Sequence, residues 1–88
     1  MKLIITILRD SDNEPVSQAL IAAGFRVTRI ASTGGFLRRG SSTLVIGTND
    51  EQVDEAIEVI RRNTAPATDA TAKRATLFVL NVEGYTQI

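Results

Sequence analysis

The sequence predicts an α+β protein, a ferredoxin-like βαββαβ sandwich in which two helices cover one face of a four-stranded antiparallel sheet. Three observations carry that expectation. Four short runs have strand composition, two stretches between them have helical periodicity with start and stop residues, and the six segments follow in the order β-α-β-β-α-β. The 88 residues are enough for one domain, 1–88, and too few for a second.

Leu3 to Leu8 is a nearly continuous apolar run with three Ile, short enough to be a buried strand rather than a helix, and is taken as β1. Ser11 with Glu14 three residues later reads as a capping box, and Pro15 fits the first turn of a helix because its missing N–H has no acceptor there. Val16, Ala19, Leu20 and Ala23 give that helix, α1, its apolar stripe, and Gly24 supplies a left-handed end. Phe25 to Ser32 and Ser42 to Thr48 read as strands β2 and β3, joined by an extended hairpin whose segment from Thr33 to Ser41 holds three Gly. Thr48 and Glu51 suggest a second capping box. Val53, Ala56, Ile57 and Ile60 then form the stripe of α2, with Arg61 and Arg62 at the end favoured by the helix dipole. Asn63 to Lys73 is a loop of Ala, Thr and Pro, and Ala75 to Val82 closes the sheet as β4.

Helices on one side leave the other face of such a sheet open, yet both faces are apolar. Leu3, Ile5 and Ile7 oppose Ile4 and Leu8 in β1, while Phe78, Leu80 and Val82 oppose Leu77 and Val79 in β4. Each large side chain left in water forfeits about 1.5–3 kcal/mol relative to burial, which predicts that the protein self-associates. With no Cys there is no disulfide framework, so packing and association must stabilise so small a chain.

Composition excludes much chemistry. The absence of Cys and His removes thiolate and imidazole metal sites, a Cys nucleophile and a Ser-His-Asp triad, and neither metal nor cofactor is expected. Ten basic and ten acidic residues cancel, so nucleic acid and anionic membrane are not expected partners. The run from Leu3 to Leu8 is too short to span a bilayer and no cleavable leader pattern is present, which predicts a cytoplasmic protein.

The charges are nonetheless segregated. From Pro15 through Asn49 there is no acid, while Arg26, Arg29, Arg38 and Arg39 all fall there; Asp50, Glu51, Asp54, Glu55 and Glu58 follow, as a solvated helix face favoured by the dipole. Arg26 and Thr28 share one side of β2 and lead into the Gly-rich segment, where Gly34 and Gly35 let backbone N–H groups approach an anion and nearby Ser and Thr add neutral donors. This is phosphate-binding chemistry without a Walker loop, since no Gly-Lys-Ser/Thr follows, and without the dinucleotide fingerprint. Phe36 and Leu37 are costly to expose in such a loop and are expected to pack on a base or a neighbouring subunit. Asp10 and Asp12 are read as residues of a strand-to-helix turn rather than a metal pair.

The stretch Phe25-Arg26-Val27-Thr28-Arg29-Ile30-Ala31-Ser32-Thr33-Gly34-Gly35-Phe36-Leu37, followed by Gly40, Thr43 and Gly47, resembles the PII-like cyclic-di-AMP receptor family. The similarity runs from Met1 to about Arg62 and resumes at Ala75-Thr76-Leu77-Phe78-Val79-Leu80. The resemblance implies a PII-like homotrimer without catalytic activity that binds a cyclic dinucleotide, or another nucleotide, between subunits and signals to a downstream protein target. It implies Arg26, Thr28 and Gly47 around an adenine, the backbone of Gly35, Phe36 and Leu37 near phosphate and ribose, Ser41 at the position of a base-contacting Asn, and Phe78 with Phe36 against the apolar parts. Gly24 also stands where the family commonly has Asn, and the segment from Asn63 to Lys73 is shorter than the family's loop. Two other readings are compatible with the residues: a small ferredoxin-like oligomeric enzyme, an isomerase or lyase acting on an acidic metabolite through Asp10, Asp12 or Tyr85, or a structural module whose apolar sheet face binds another protein.

Overall fold

The computed structural model describes residues 1–30, 40–66 and 74–88. Its sheet has the strand order β2-β3-β1-β4, with β1 at Lys2–Arg9, β2 at Arg26–Ile30, β3 at Ser41–Thr48 and β4 at Ala75–Asn81, and every neighbouring pair is antiparallel. The helices are α1, Asp10–Ala22, and α2, Val53–Asn63, the latter entered through a short 3-10 turn at Asp50–Gln52. This is the ferredoxin-like α+β arrangement expected from the order of segments. The segment from 31 to 39, where the predicted hairpin loop falls, lies outside the described residues.

β1 is central because its apolar run satisfies two neighbours at once, Leu3 pairing with Gly47 of β3 and Leu80 of β4, and Ile5 with Val45 and Phe78. Its alternation decides which side is which. Ile4, Thr6 and Leu8 face the helices and are at most 2% exposed. Leu3, Ile5 and Ile7 point to the uncovered side and are half-buried. The core joins Ile4 and Leu8 to Leu44 and Ile46 of β3, Val16 and Leu20 of α1, Phe25, and Ala56, Val59 and Ile60 of α2. The α2 stripe is thus rotated slightly from the one predicted: Val59 enters the core, while Val53 and Ile57 lie at its margin. Ala23, the last member of the predicted α1 stripe, is exposed because the helix has already ended.

Both predicted capping boxes give way to other contacts. α1 starts at Asp10 with no side-chain cap. Its first turn is instead held by long-range bonds, the Asp10 N–H donating to the Gly40 carbonyl at 2.8 Å and the Ser42 hydroxyl donating to the Asp10 carboxylate at 2.5 Å. Glu14 reaches sideways, accepting from Gln18 and pairing with Arg29 of β2 at 2.7 Å. Those bonds hold its carboxyl below the usual carboxylate range, Gln18 first and Arg29 second. The α1–β2 tie is therefore complete above that range and is lost as pH falls through the lowered value. Pro15 consequently sits beyond the first turn. At α2 the cap is Asn49 rather than Thr48, its side chain accepting the Gln52 N–H at 3.0 Å.

The end of α1 follows the predicted rule. Gly24 takes φ +93°, the Gly24 N–H donates to the Ile21 carbonyl at 3.0 Å and the Phe25 N–H to the Leu20 carbonyl at 3.0 Å, a Schellman motif that turns Phe25 into the core.

Two buried hydroxyls, those of Thr6 and Thr48, have no hydrogen-bond partner among the described residues. Thr6 is fully buried among apolar side chains. A buried, unpaired hydroxyl costs on the order of 1–3 kcal/mol, and Val has the same branched shape without it. Thr6→Val is expected to stabilise the fold by about 1 kcal/mol, read as a rise of roughly 4–8 °C in thermal unfolding.

Candidate functional site

The uncovered face is read off the register as rows across the sheet. One row is Arg26, Gly47, Leu3 and Leu80; the next is Thr28, Val45, Ile5 and Phe78; the third is Ile30, Thr43, Ile7 and Thr76. Arg26 and Thr28 are exposed, and Arg26 makes no ion pair among the described residues. Gly47 lies directly opposite Arg26, so three of the residues predicted from sequence share one small patch at the β2 edge.

Glycine at position 47 is not a backbone requirement, because its φ is not in the left-handed region and it sits within a regular strand. A glycine there weakens the strand and commonly marks a close approach by a ligand or another backbone. Among the described residues, a Cβ at this position would meet only the terminal methyl of Met1, at 3.2 Å. Bare backbone at Gly47 thus lies beside a guanidinium that makes no ion pair among the described residues, with Leu3 and Val45 as apolar neighbours. A guanidinium can stack on a flat ring or bond a phosphate.

Phe78 is on the same face but at the other edge. β2 and β4 are the outer strands, so three strand spacings, about 14 Å, separate Thr28 from Phe78 within their row. Phe78 is 51% exposed and Leu80 45%, which leaves the β4 edge as an apolar surface without cover. Ser41 is half-buried at the far end of β3, six residues and roughly 20 Å from Gly47. Gly34, Gly35, Phe36 and Leu37 lie outside the described residues. Met1 was not among the residues singled out from sequence; only the strand register, which places it diagonal to Gly47, brings it to the patch.

Two clefts formed by described residues lie elsewhere. One, of 210 Å³, runs between the end of α2 and the start of β4 beside Arg61 and Arg74; the other, shallow and open, runs between α1 and α2 beside Arg62. Neither includes a residue predicted for the site.

The acids offered as catalytic candidates are engaged in structure. Asp12 is 3% exposed; one oxygen accepts from Arg9 Nε at 2.9 Å and the other from the Ala65 N–H at 3.1 Å, while the Arg9 guanidinium donates to the Ala65 carbonyl at 2.5 Å. This cluster ties the end of β1 to the start of α1 and the exit of α2. Asp12→Ala would leave a buried N–H and part of a guanidinium unpaired, and is expected to lower stability by about 2–3 kcal/mol in denaturant unfolding. Among the described residues no group of three acids could hold a metal ion. No helix among them is long and apolar enough to cross a membrane.

With this geometry in place, the comparisons with known proteins are specific. The sequence profile described as cyclic-di-AMP receptor matches residues 1–74. The chain belongs to the cyclic-di-AMP receptor family. A solved structure of similar fold is the crystal structure of a functionally unknown protein from Pediococcus pentosaceus ATCC 25745, with 30% sequence identity and a TM-score of 0.77 over 99% of this chain and 96% of that one. The two chains are thus of nearly equal length, and the structural match extends through β4 and the tail, beyond the part matched by the family profile.

Proposed function

We propose that this protein is a non-catalytic receptor that binds cyclic di-AMP between subunits of a homotrimer, with the β2 edge of one subunit and the β4 edge of the next forming each cleft. The observation that carries the reading is the separation of the site: Arg26, Thr28 and Gly47 share a face with Phe78 but lie at opposite edges of the sheet. On one chain about 14 Å separates the two edges, whereas head-to-tail pairing brings them side by side and makes a ring where the rotation closes. A ring whose uncovered sheet faces turn inward also covers Leu3, Ile5, Val45, Phe78 and Leu80. Arg26 then supplies charge to a phosphate or a plane to the base, Thr28 a hydroxyl, and Gly47 a bare floor. Gly34, Gly35, Phe36, Leu37 and Ser41 complete the cleft on the strength of the sequence resemblance, and occupancy is passed to a downstream protein.

The burial of Asp12, with both carboxylate oxygens held by Arg9 and the Ala65 N–H, supports a structural rather than a catalytic role for that residue. Calorimetric titration with cyclic di-AMP, cyclic di-GMP and ATP tests the reading. A saturable isotherm for cyclic di-AMP at one ligand per subunit is expected. No heat from any of the three, and no competition among them, would overturn it.

A further inference from the structure

The residue nearest the vacant side of Gly47 is Met1, and its position is built rather than incidental. Its carbonyl accepts the Val82 N–H at 3.0 Å, which extends the β1–β4 pairing by one residue and fixes its backbone beside the sheet. Its side chain lies diagonally across from Gly47 on the uncovered face, with the terminal methyl 3.2 Å from where a Cβ would stand. Met1 is 52% exposed, so it neither belongs to the core nor is confined by it. Arg26 borders the same bare backbone from the β2 side.

We propose that the Met1 thioether forms one wall of the nucleotide site and packs against the bound base, opposite Arg26. The inference rests on the receptor reading above and adds to it a residue that selects an aromatic, uncharged ligand face. A thioether suits that place: its three rotatable bonds let it swing off Gly47 when a ring arrives, and its polarizable sulfur makes favourable contacts at ring edges. A base seated on Gly47 would then be held by a guanidinium on one side and a soft apolar group on the other. Were Met1 only filling the gap left by Gly47, an alanine at 47 would serve the fold better, with a stronger strand and a flexible side chain as its only close neighbour.

The chain offers a clean test because Met1 is its one methionine and it has no Cys, His or Trp. In full-length protein labelled with methyl-13C methionine, cyclic di-AMP is expected to shift the single methyl resonance with the saturation point of the calorimetric isotherm, and Arg26→Ala is expected to abolish the shift. Hydrogen peroxide, which transfers one oxygen to the thioether and leaves water, converts Met1 to the sulfoxide and places an unpaired polar oxygen against the base. Affinity is expected to fall about tenfold, with the melting temperature of the free protein unchanged. Calorimetric binding with an unmoved methyl resonance, or with affinity untouched by oxidation, would overturn the Met1 assignment and leave the receptor reading standing. Absence of calorimetric binding in the unmodified protein would overturn the receptor reading itself, and the assignment with it.

Discussion

Arg26→Ala is expected to weaken cyclic di-AMP binding by about 10–100-fold while leaving the fold intact, the largest effect of any single substitution on the uncovered face. Charge-assisted bonds contribute about 1.5–3 kcal/mol each, and every 1.4 kcal/mol is tenfold in affinity. Arg26 is exposed and makes no ion pair among the described residues, so the free protein loses little when it is truncated. Paired calorimetry and thermal unfolding separate the two quantities. A fall in affinity matched by an equal loss of stability would mean that Arg26 supports the fold rather than the ligand. Arg29, three residues on, is the internal control. It lies on the helix-covered face and pairs with Glu14, so Arg29→Ala is expected to act on stability and not on affinity.

Leu80→Glu is expected to convert the proposed trimer to monomers. Leu80 ends the row Arg26, Gly47, Leu3, Leu80 on the edge strand β4 and is 45% exposed in the single chain. The substitution therefore asks little of the isolated fold. In the ring, each subunit would lose about 1.5–3 kcal/mol of apolar burial and would trap an unpaired carboxylate costing several kcal/mol more, enough to raise the dissociation constant by at least about a thousandfold. Sedimentation equilibrium reads the result directly: about three times the 9.5 kDa subunit mass for the natural sequence, and the subunit mass for the variant. Circular dichroism of the variant should keep its αβ signature, and its nucleotide binding should be lost. A natural sequence that sediments at the subunit mass at high concentration would remove the basis for a shared site.

The parts of the molecule that were legible in the sequence are those decided by local pattern. The alternation of β1, the basic end of α2, and Gly24 at the close of α1 each follow from side-chain period or backbone sterics and are where the residues placed them, while the α2 stripe is turned so that Val59 replaces Val53 and Ile57 in the core. What was not legible depends on contacts between distant segments. The start of α1 is fixed by Gly40 and Ser42, some thirty residues away, so a capping box that is locally plausible at Ser11 and Glu14 is unnecessary, and Glu14 is free to pair with Arg29. Asn49 displaces Thr48 as a cap because Thr48 still belongs to β3, paired with Lys2. For the site, Arg26, Thr28 and the Gly-rich segment pointed to an anion and Phe36 to a base, Gly47 came from the resemblance alone, and the register sets Arg26 against Gly47. The position of Phe78 at the opposite edge required the strand order, and Met1 required the register of β1 on β3.

The central claim is that each site is divided between two copies of the chain, and subunit mixing tests it most directly. Arg26→Ala and Phe78→Ala disable opposite edges, so each variant alone should bind cyclic di-AMP poorly. Dissociated together and reassembled at equal amounts, they form some interfaces in which an intact β2 edge meets an intact β4 edge, about a quarter of the total for random assortment. Calorimetry of the mixture should recover high-affinity binding at about that fraction of the natural stoichiometry. A mixture that binds no better than its two components would place the whole site within one subunit and contradict the account.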